Sequence, residues 1–529
     1  MSSFKNSRFS ALLPFFFALA LIIGVFIGTR INLPSSLSFG MSKSDKLNRM
    51  IDIIQKEYVD EINADSLSEL ALEAVLSKLD PHSTYIPPSD LQAVNEDMEG
   101  NFEGVGIEFN VINDTISVVS VISGGPSDKA GILPGDRIIT INGEKSSGVK
   151  ITNENIIKKL RGKRGTEAKV GIGRRGSNKI IDFQIIRDRI PLYSVDASFM
   201  LDQEIGYIKI SRFAATTHEE YEKAMEGLQK QGIKKLILDL RGNPGGYLDQ
   251  AIDIADEFLK NKELIVYTKG KNRNEQKYYA TSAGDWEENP LVVLIDESSA
   301  SASEIVAGAL QDQDRAEIIG RRSFGKGLVQ EQMEFSDGSA LRLTVARYYT
   351  PSGRSIQRPY SEGTEAYYQV MYDRMESALQ DEDTTKIIGD TVKYYTKNKK
   401  VVYGGGGIRP DVSIKSDSAD YEPDLIAIFK TGAINQFAFE FSDLNREGLK
   451  KTFNGYKTFA VSSQASDKIR AEFTSFLKKQ KDTENIQLSA SGVRRAKAFI
   501  GRNIWGNEAY YYILALEDKT IITAENKLR

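Results

Sequence analysis

At 529 residues the chain is long enough for about three or four domains, and its net charge of −4 with mixed signs leaves no basic footprint for nucleic acid. With no cysteine, a thiol nucleophile and a cysteine-ligated metal are excluded. The two histidines, His82 and His218, leave too few ligands for a His-rich zinc site, so no metal or cofactor is expected.

Ala11 to Gly28 is an apolar run preceded by Lys5 and Arg8. It is long enough to cross a bilayer, and no small-x-small cleavage site follows closely. The expectation is an uncleaved single-pass anchor in the inner (cytoplasmic) membrane, with the basic tip in the cytoplasm and the body on the periplasmic side. The alternative is a signal peptide cut after Ser38 or Gly40, releasing the body to the periplasm. Tip, anchor and tether take residues 1–44. Leu47, Met50, Ile51, Ile54 and Tyr58, then Leu67, Leu70, Ala71, Ala74 and Val75, fall at helical spacing. They predict two helices within a helical arm over 45–100, the second ending at Leu79-Asp80-Pro81-His82-Ser83. His82 reads as a structural loop residue.

Residues 101–190 show short β runs separated by Gly, Pro and Asn turns, with helical stretches at Pro126 to Gly131 and Asn153 to Leu160. Gly104-Val105-Gly106-Ile107 resembles the carboxylate loop of a PDZ domain, and Gly135-Asp136-Arg137-Ile138 with Ile141-Asn142-Gly143 strengthens the likeness. Such a loop turns N–H groups toward a chain-end carboxylate while the next strand edge pairs with the peptide. Gly104, Val105, Gly106 and Ile107 are therefore the candidate substrate-binding residues. Arg161 reads either as a latch to the next domain or as an exposed turn residue. Gly171 to Gly176 matches a dinucleotide fingerprint, but a β run from Lys179 to Ile186 follows where that motif needs a helix, so it reads as a hairpin. Ser147 to Lys150 matches Ser-x-x-Lys without a supporting helix or partner motif.

From Pro191 a core runs to about residue 415. Glu204 to Ile210 and Leu236 to Leu240 predict strands, and Phe213 to Gln231 an amphipathic helix with a solvated His218 near its start. Arg241 to Gly246 is a Gly-rich loop leading into a helix from Tyr247 to Leu259. It lacks the Gly-Lys-Ser/Thr of a phosphate cradle. Pro290 to Asp296 suits a buried strand, and Ile305, Val306, Ala309 and Leu310 a helix. The serine cluster between them puts Ser301 at a helix start, where N–H groups and a positive helix end lie close. Ser301 with Glu304 equally matches a capping box. Ala316 to Gly320 reads as another strand, followed by Phe324-Gly325-Lys326-Gly327. If the two strands are parallel neighbours, Ser301 and Lys326 leave the sheet at one edge. A lysine buried there loses stability as ammonium and serves as a general base, and a Ser-Lys dyad is the economical choice in a chain this poor in histidine. Leu328 to Phe335 and Ser339 to Tyr349 predict a hairpin around Asp337-Gly338.

Ser-Ala-Ser-Ala-Ser-Glu-Ile, a Phe-Gly-Lys-Gly whose lysine lies 25 positions after Ser301, and Gln330 four further on resemble the C-terminal processing peptidases, or tail-specific proteases. Leu79 to Ser83, Gly104 to Ile107 and Leu238 to Gly246 extend the likeness over roughly residues 45 to 415. The resemblance implies Ser301 as nucleophile, Lys326 as base and Gln330 as the residue orienting the lysine. It also implies an oxyanion hole from the N–H groups of Ala302 and Gly246. Ser299 and Ser303 are the neighbours to be told apart from Ser301, which the lysine spacing favours.

Residues 416–529 are helical in pattern, with Phe437, Phe439 and Phe441 alternating near the start, and carry no legible chemistry. The expected fold is multidomain α/β (α+β): an N-terminal membrane helix, a helical arm, a PDZ domain, a mixed α/β serine-protease core and a helical C-terminal domain. The expected partners are protein or peptide substrates with apolar C-termini, the membrane and a second copy of the chain. Two rivals stand beside hydrolysis: a membrane-anchored PDZ scaffold with an inactive core, and acyl transfer on cell-wall peptides.

Overall fold

The computed structural model describes residues 17–23, 43–379, 392–416 and 421–529. The chain divides into two compact units, with the division between Ala74 and Val75. The first contains α1 (Lys43–Glu57) and most of α2 (Ala64–Leu76). Asn63 caps α2 by accepting from the N–H groups of Asp65 at 2.9 Å and Ser66 at 3.2 Å. Within the apolar run Ala11 to Gly28, residues 17–23 are helical and the remainder lies outside the described residues. Among the described residues no helix is long and apolar enough to cross a membrane.

The second unit opens with β1 (Thr84–Ile86) and α3 (Pro88–Glu99), so the expected helical arm carries a strand before residue 100. A β-rich module follows. β2 (Asn101–Gly104) and β9 (Asp188–Pro191) pair antiparallel and bring its two ends together. Between them β3 (Ile107–Ile112), β4 (Thr115–Val121), β5 (Arg137–Ile141), β7 (Glu167–Gly173) and β8 (Ile180–Ile186) lie in that order, with β6 (Glu144–Lys145) on β5. Ile116, Val118, Ile138, Ile141 and Ile172 fill its core against α5 (Asn153–Leu160), while α4 (Pro126–Ala130) runs between β4 and β5. Asn113 and Asp114 turn β3 into β4 at φ 48° and 55°, the left-handed pair that suits a tight hairpin of twisted strands. Gly171 to Gly176 forms the β7–β8 hairpin that its flanking β run predicts.

The core is a sheet ordered β10 (Val195–Met200), β11 (Ile205–Ile210), β12 (Lys235–Asp239), β15 (Leu291–Ile295), β16 (Glu317–Gly320) and β21 (Val412–Ser413). β10 is antiparallel to β11, and all the other pairs are parallel. Side chains alternate along a strand, and here both faces are buried, so the strands read as continuous apolar runs. Leu236, Leu238, Val293, Ile295 and Ile318 face α6 (Thr217–Gln229), α7 (Leu248–Asp256) and α8 (Ala302–Asp312). Ile237, Val292, Leu294 and Ile319 face the other way, into a separate cluster with Ile434, Phe437, Phe459, Phe473 and Ile500. Those come from the C-terminal helices, which therefore form the sheet's second covering layer. Leu294→Ala would cost about 2–5 kcal/mol at such a site.

A second sheet runs β1–β18–β13–β14, with β13 (Leu264–Lys269), β14 (Gln276–Tyr279) and β18 (Ala340–Tyr349), and β17 (Leu328–Glu334) on the free side of β18. After it come α9 (Thr364–Leu379) and a small pair, β19 (Lys393–Tyr395) with β20 (Val401–Tyr403). The C-terminal layer comprises α10 (Pro423–Lys430), α11 (Ala433–Thr452), α12 (Tyr456–Val461), α13 (Ser463–Leu477), α14 (Ala490–Trp505), α15 (Asn507–Ala515) and α16 (Lys519–Leu528).

Candidate active site

β15 and β16 are parallel neighbours, so the chain leaves both at one edge. Ser301 follows β15 and Lys326 follows β16. The turn into α8 is built from short polar side chains. Asp296 accepts from the N–H groups of Ser298 and Ser299 at 3.1 Å each, and Ser299 donates its hydroxyl to the Leu240 carbonyl at 2.9 Å. Ser303 donates its hydroxyl to the Asn243 carbonyl at 3.0 Å. Ser299 and Ser303 are fully buried and committed to these bonds, whereas Ser301 between them is partly open. Ser301 also holds φ 52° and ψ −111°, a conformation that costs a non-glycine residue about 1–3 kcal/mol.

Glu304 decides the geometry. It completes the expected capping-box pattern, accepting the Ser301 N–H at 2.9 Å on Oε2. The same oxygen accepts the Lys326 N–H at 2.9 Å. Its Oε1 takes the Ser323 hydroxyl at 2.5 Å and the Gly325 N–H at 2.7 Å. One fully buried carboxylate thus ties both backbones to a single point. Burial pushes this carboxyl up to about 6 against the pull of its hydrogen bonds. Tyr348 adds a second tie, its hydroxyl donating to the Lys326 carbonyl at 2.6 Å and the Ser301 carbonyl at 3.1 Å.

Lys326 Nζ donates to Gln330 Oε1 at 3.0 Å and makes no hydrogen bond to the Ser301 hydroxyl among the described residues. Burial, and after it the nearby Arg342 charge, holds the amine below its ordinary pKa, against Glu304 and Asp80. The Gln330 amide is aimed by its other end, which donates to the His82 carbonyl. Asp80 in turn fixes that carbonyl, accepting from the N–H groups of His82 and Ser83 at 2.8 Å each and from the Ser83 hydroxyl at 2.6 Å. His82 therefore serves the site through its backbone. Its imidazole is pushed down to about 4, mainly by burial and then by Lys326, and its Nε2 meets the Tyr367 hydroxyl at 3.0 Å. His218 departs from the solvated expectation: half-buried, it bonds Glu257 at 2.7 Å.

The Gly-rich loop presses against Ser301. A Cβ on Gly245 would stand 2.7 Å from the Ser301 Cβ and 3.0 Å from the Ala302 nitrogen. Gly246 sits in a bridge to Phe213: Phe213 donates to Gly245 at 2.9 Å and Tyr247 donates to Phe213 at 2.8 Å. The N–H groups of Gly246 and Ala302 have no acceptor among the described residues. Two free donors thus flank Ser301.

In the β-rich module, the Val105 and Gly106 carbonyls accept from Ser127 at 3.0 Å and Ile122 at 3.1 Å. Across a planar trans peptide the following N–H points the opposite way, so Gly106 and Ile107 present theirs away from the module body. Beside them is a cavity of about 150 Å³ lined by Phe102, Val105, Ile107, Phe109, Ile157 and Leu160 among others. Arg161 also borders it, stacks over Phe102 at 4.6 Å and bonds Glu96 of α3 at 2.5 Å.

The pattern of peptidase family S41 matches residues 204–366, and that of a PDZ domain residues 104–185. Residues 425–506 match a family of unknown function. A carboxy-terminal-processing protease of Bartonella bacilliformis is 42% identical over 320 residues, covering 59% of this chain and 73% of that protein. The carboxy-terminal processing protease CtpB of Bacillus subtilis is 37% identical over 331 residues, covering 62% and 68%. CtpA of the same organism is 39% identical over 324 residues, covering 61% and 68%.

Proposed function

This chain belongs to the carboxy-terminal processing proteases of peptidase family S41, serine peptidases that here carry a PDZ domain, and from that premise we propose how its residues divide the work. Ser301 is the nucleophile and Lys326 its base. The neutral amine takes the Ser301 proton as Oγ attacks the scissile carbonyl, and the oxyanion accepts from Ala302 and Gly246. The lysine then gives its proton to the leaving amine, and water releases the acyl group by the same route reversed. Gln330 accepts one N–H of Lys326 and so aims the lone pair. What carries this reading is the shared Glu304 oxygen at 2.9 Å from both backbone nitrogens, with a desolvated lysine on the loop tied to the partly open Ser301. Catalytic hydrogen bonds are often long in unliganded enzymes, so the unformed Ser301–Lys326 bond fits a resting site.

The PDZ groove captures an apolar C-terminus, its carboxylate on the Gly104 to Ile107 loop and its last side chain in the 150 Å³ cavity, which suits one aliphatic residue. Capture then delivers the chain to Ser301 and switches the enzyme on. The Ala11 to Gly28 run with Lys5 and Arg8 supports a membrane anchor with the body on the periplasmic side. Mass spectrometry of fragments from a disordered protein, with and without an apolar C-terminal tag, tests the assignment. Ser301→Ala and Lys326→Ala are each expected to lose at least about a thousandfold in rate, and tagged substrate to be cut faster. A scaffold with a silent core would lose nothing.

A further inference from the structure

The helices α6 and α7 pack against each other, and their contact gathers side chains that the proposed reaction does not use. His218 stands in the first turn of α6 and Glu257 directly follows α7. Glu222 comes four residues after His218, so the two side chains share one face of α6, a turn apart. One donor atom each of His218, Glu222 and Glu257 lies within 4.8 Å of the other two. Around a zinc ion, with bonds of about 2.0–2.2 Å, ligand atoms stand roughly 3–4 Å apart, so these three are close to the spacing of a bound set. A histidine and a second ligand four residues on, along one helix face, is also the spacing by which helical zinc motifs present two donors to one ion.

Two independent features go with that geometry. The first is charge. Asp249 and Asp253 lie eight and four residues before Glu257 and share its side of α7. Among the described residues, none of Glu222, Asp249, Asp253 and Glu257 pairs with a lysine or arginine, and the His218 imidazole is their one basic partner. Half-buried carboxylates gathered without a matching cation favour the arrival of one. The second is that the donors are held from behind. Gln250 accepts the His218 N–H at 2.9 Å, the Asp285 N–H donates to Glu257 Oε2 at 3.4 Å, and the Trp286 N–H donates to the Glu257 carbonyl at 3.0 Å. Bonds of this kind orient the ligands of a metal site. Glu222 is exposed, so the third donor lies on the side from which an ion would enter.

We propose that His218, Glu222 and Glu257 bind one divalent first-row transition-metal ion, zinc being the type case, with water completing its coordination. A ligand set with one imidazole nitrogen favours such an ion over magnesium and calcium, which take oxygen donors. The ion takes the place of the proton between His218 Nε2 and Glu257 Oε1, and that proton leaves to solvent. A search for His-rich zinc patterns passes over a site of this kind, because it spends a single histidine. Bound there, the ion pins α6 to α7, the two helices that lead away from the Phe213–Gly246 bridge.

Calorimetric titration of the full chain, stripped of metal by a chelator and returned to plain buffer, with zinc chloride tests this. One saturable zinc ion per chain is expected, with a rise in melting temperature as zinc is added. Affinity should fall about tenfold or more in His218→Ala and in Glu222→Gln, since each removes a ligand. Glu222 is exposed, so Glu222→Gln without zinc should melt with the wild type, and it keeps the test valid should His218→Ala fold poorly. The proposal is overturned by no saturable heat, by zinc affinity unchanged in Glu222→Gln, or by displacement of zinc by magnesium or calcium at equal concentration. Loss of binding in His218→Ala alone would also overturn it, because a lone imidazole is not the proposed site. The readout is metal binding, so its failure leaves the peptidase reading untouched.

Discussion

Two loops of this chain are proposed to receive a negative oxygen, Gly104 to Ile107 in the PDZ domain and Asn243 to Gly246 beside Ser301, and they are held with different firmness. The first hangs on two carbonyls, with the Ser127 hydroxyl adding a bond to Val105 at 2.6 Å. A Cβ on Gly106 would meet side chains alone, nearest the tip of Ile190 at 2.9 Å. The second is closed in by backbone. A Cβ on Gly246 would stand 2.0 Å from the Phe213 carbonyl oxygen, and one on Gly245 2.8 Å from that of Ala300. Asn243, buried beneath, donates its amide to the Ile210 carbonyl at 3.1 Å and accepts the Gly245 N–H at 2.8 Å. On the proposed roles, the difference suits the charge each would meet. A chain-end carboxylate arrives ionised and can draw a loop onto itself. The proposed oxyanion gains charge only during attack, and dipoles that must reorganise then stabilise it poorly.

That contrast predicts the largest effect at Gly246. Gly246→Ala drives a methyl into backbone at φ 150° and displaces a proposed donor, so kcat should fall by about a hundredfold or more, with a lower melting temperature. A near-normal kcat would mean that the firmness of this loop has no catalytic purpose. Glu304→Gln comes next. The amide keeps the shape but cannot accept from all four donors, and loss of charge-assisted bonds predicts a fall in kcat of roughly ten- to a hundredfold with KM little changed. Protonation should act like the substitution. With this carboxyl pushed up to about 6, wild-type activity is expected to fall as pH drops through that value, and Glu304→Gln should lack that limb.

Much of this site was legible in the sequence, because the signals were local. The apolar runs at Pro290 to Asp296 and Ala316 to Gly320 gave the two strands, and their parallel pairing puts Ser301 and Lys326 at one edge. Glu304 was legible only as a cap; that its carboxylate also holds Lys326 depends on a contact 22 residues away. His82 looked like a loop residue because its contribution is a carbonyl, which no side-chain pattern reports. The C-terminal helices showed their periodicity but not their partner. The sign of a second apolar layer was in the core strands, where Ile237, Val292 and Leu294 leave no polar face for solvent.

At the PDZ loop the same kind of substitution should do less. Gly106→Ala meets a side-chain tip that can turn, but its φ of 77° costs an alanine about 1 kcal/mol. The expected result is a rise in KM of several-fold for a substrate with an apolar C-terminal tag, with kcat on an untagged substrate unchanged. A fall in kcat on both substrates would mean that the two loops are coupled more tightly than their separate supports suggest.

The smallest effect belongs to charge at a distance. Arg342 lies on β18, donates to Gln332 at 3.0 Å, and is the largest influence after burial holding Lys326 below its ordinary pKa. The proposed reaction needs the neutral amine, so rate should rise with pH as Lys326 loses its proton. Arg342→Gln removes a positive neighbour, lets the lysine hold its proton longer, and should move that rise to higher pH. The plateau above it should stay where it was, because no group touching substrate has changed. If the rise stays in place, burial alone sets the lysine. The firmness of the site would then extend from its dipoles to its base, with no help from surrounding charge.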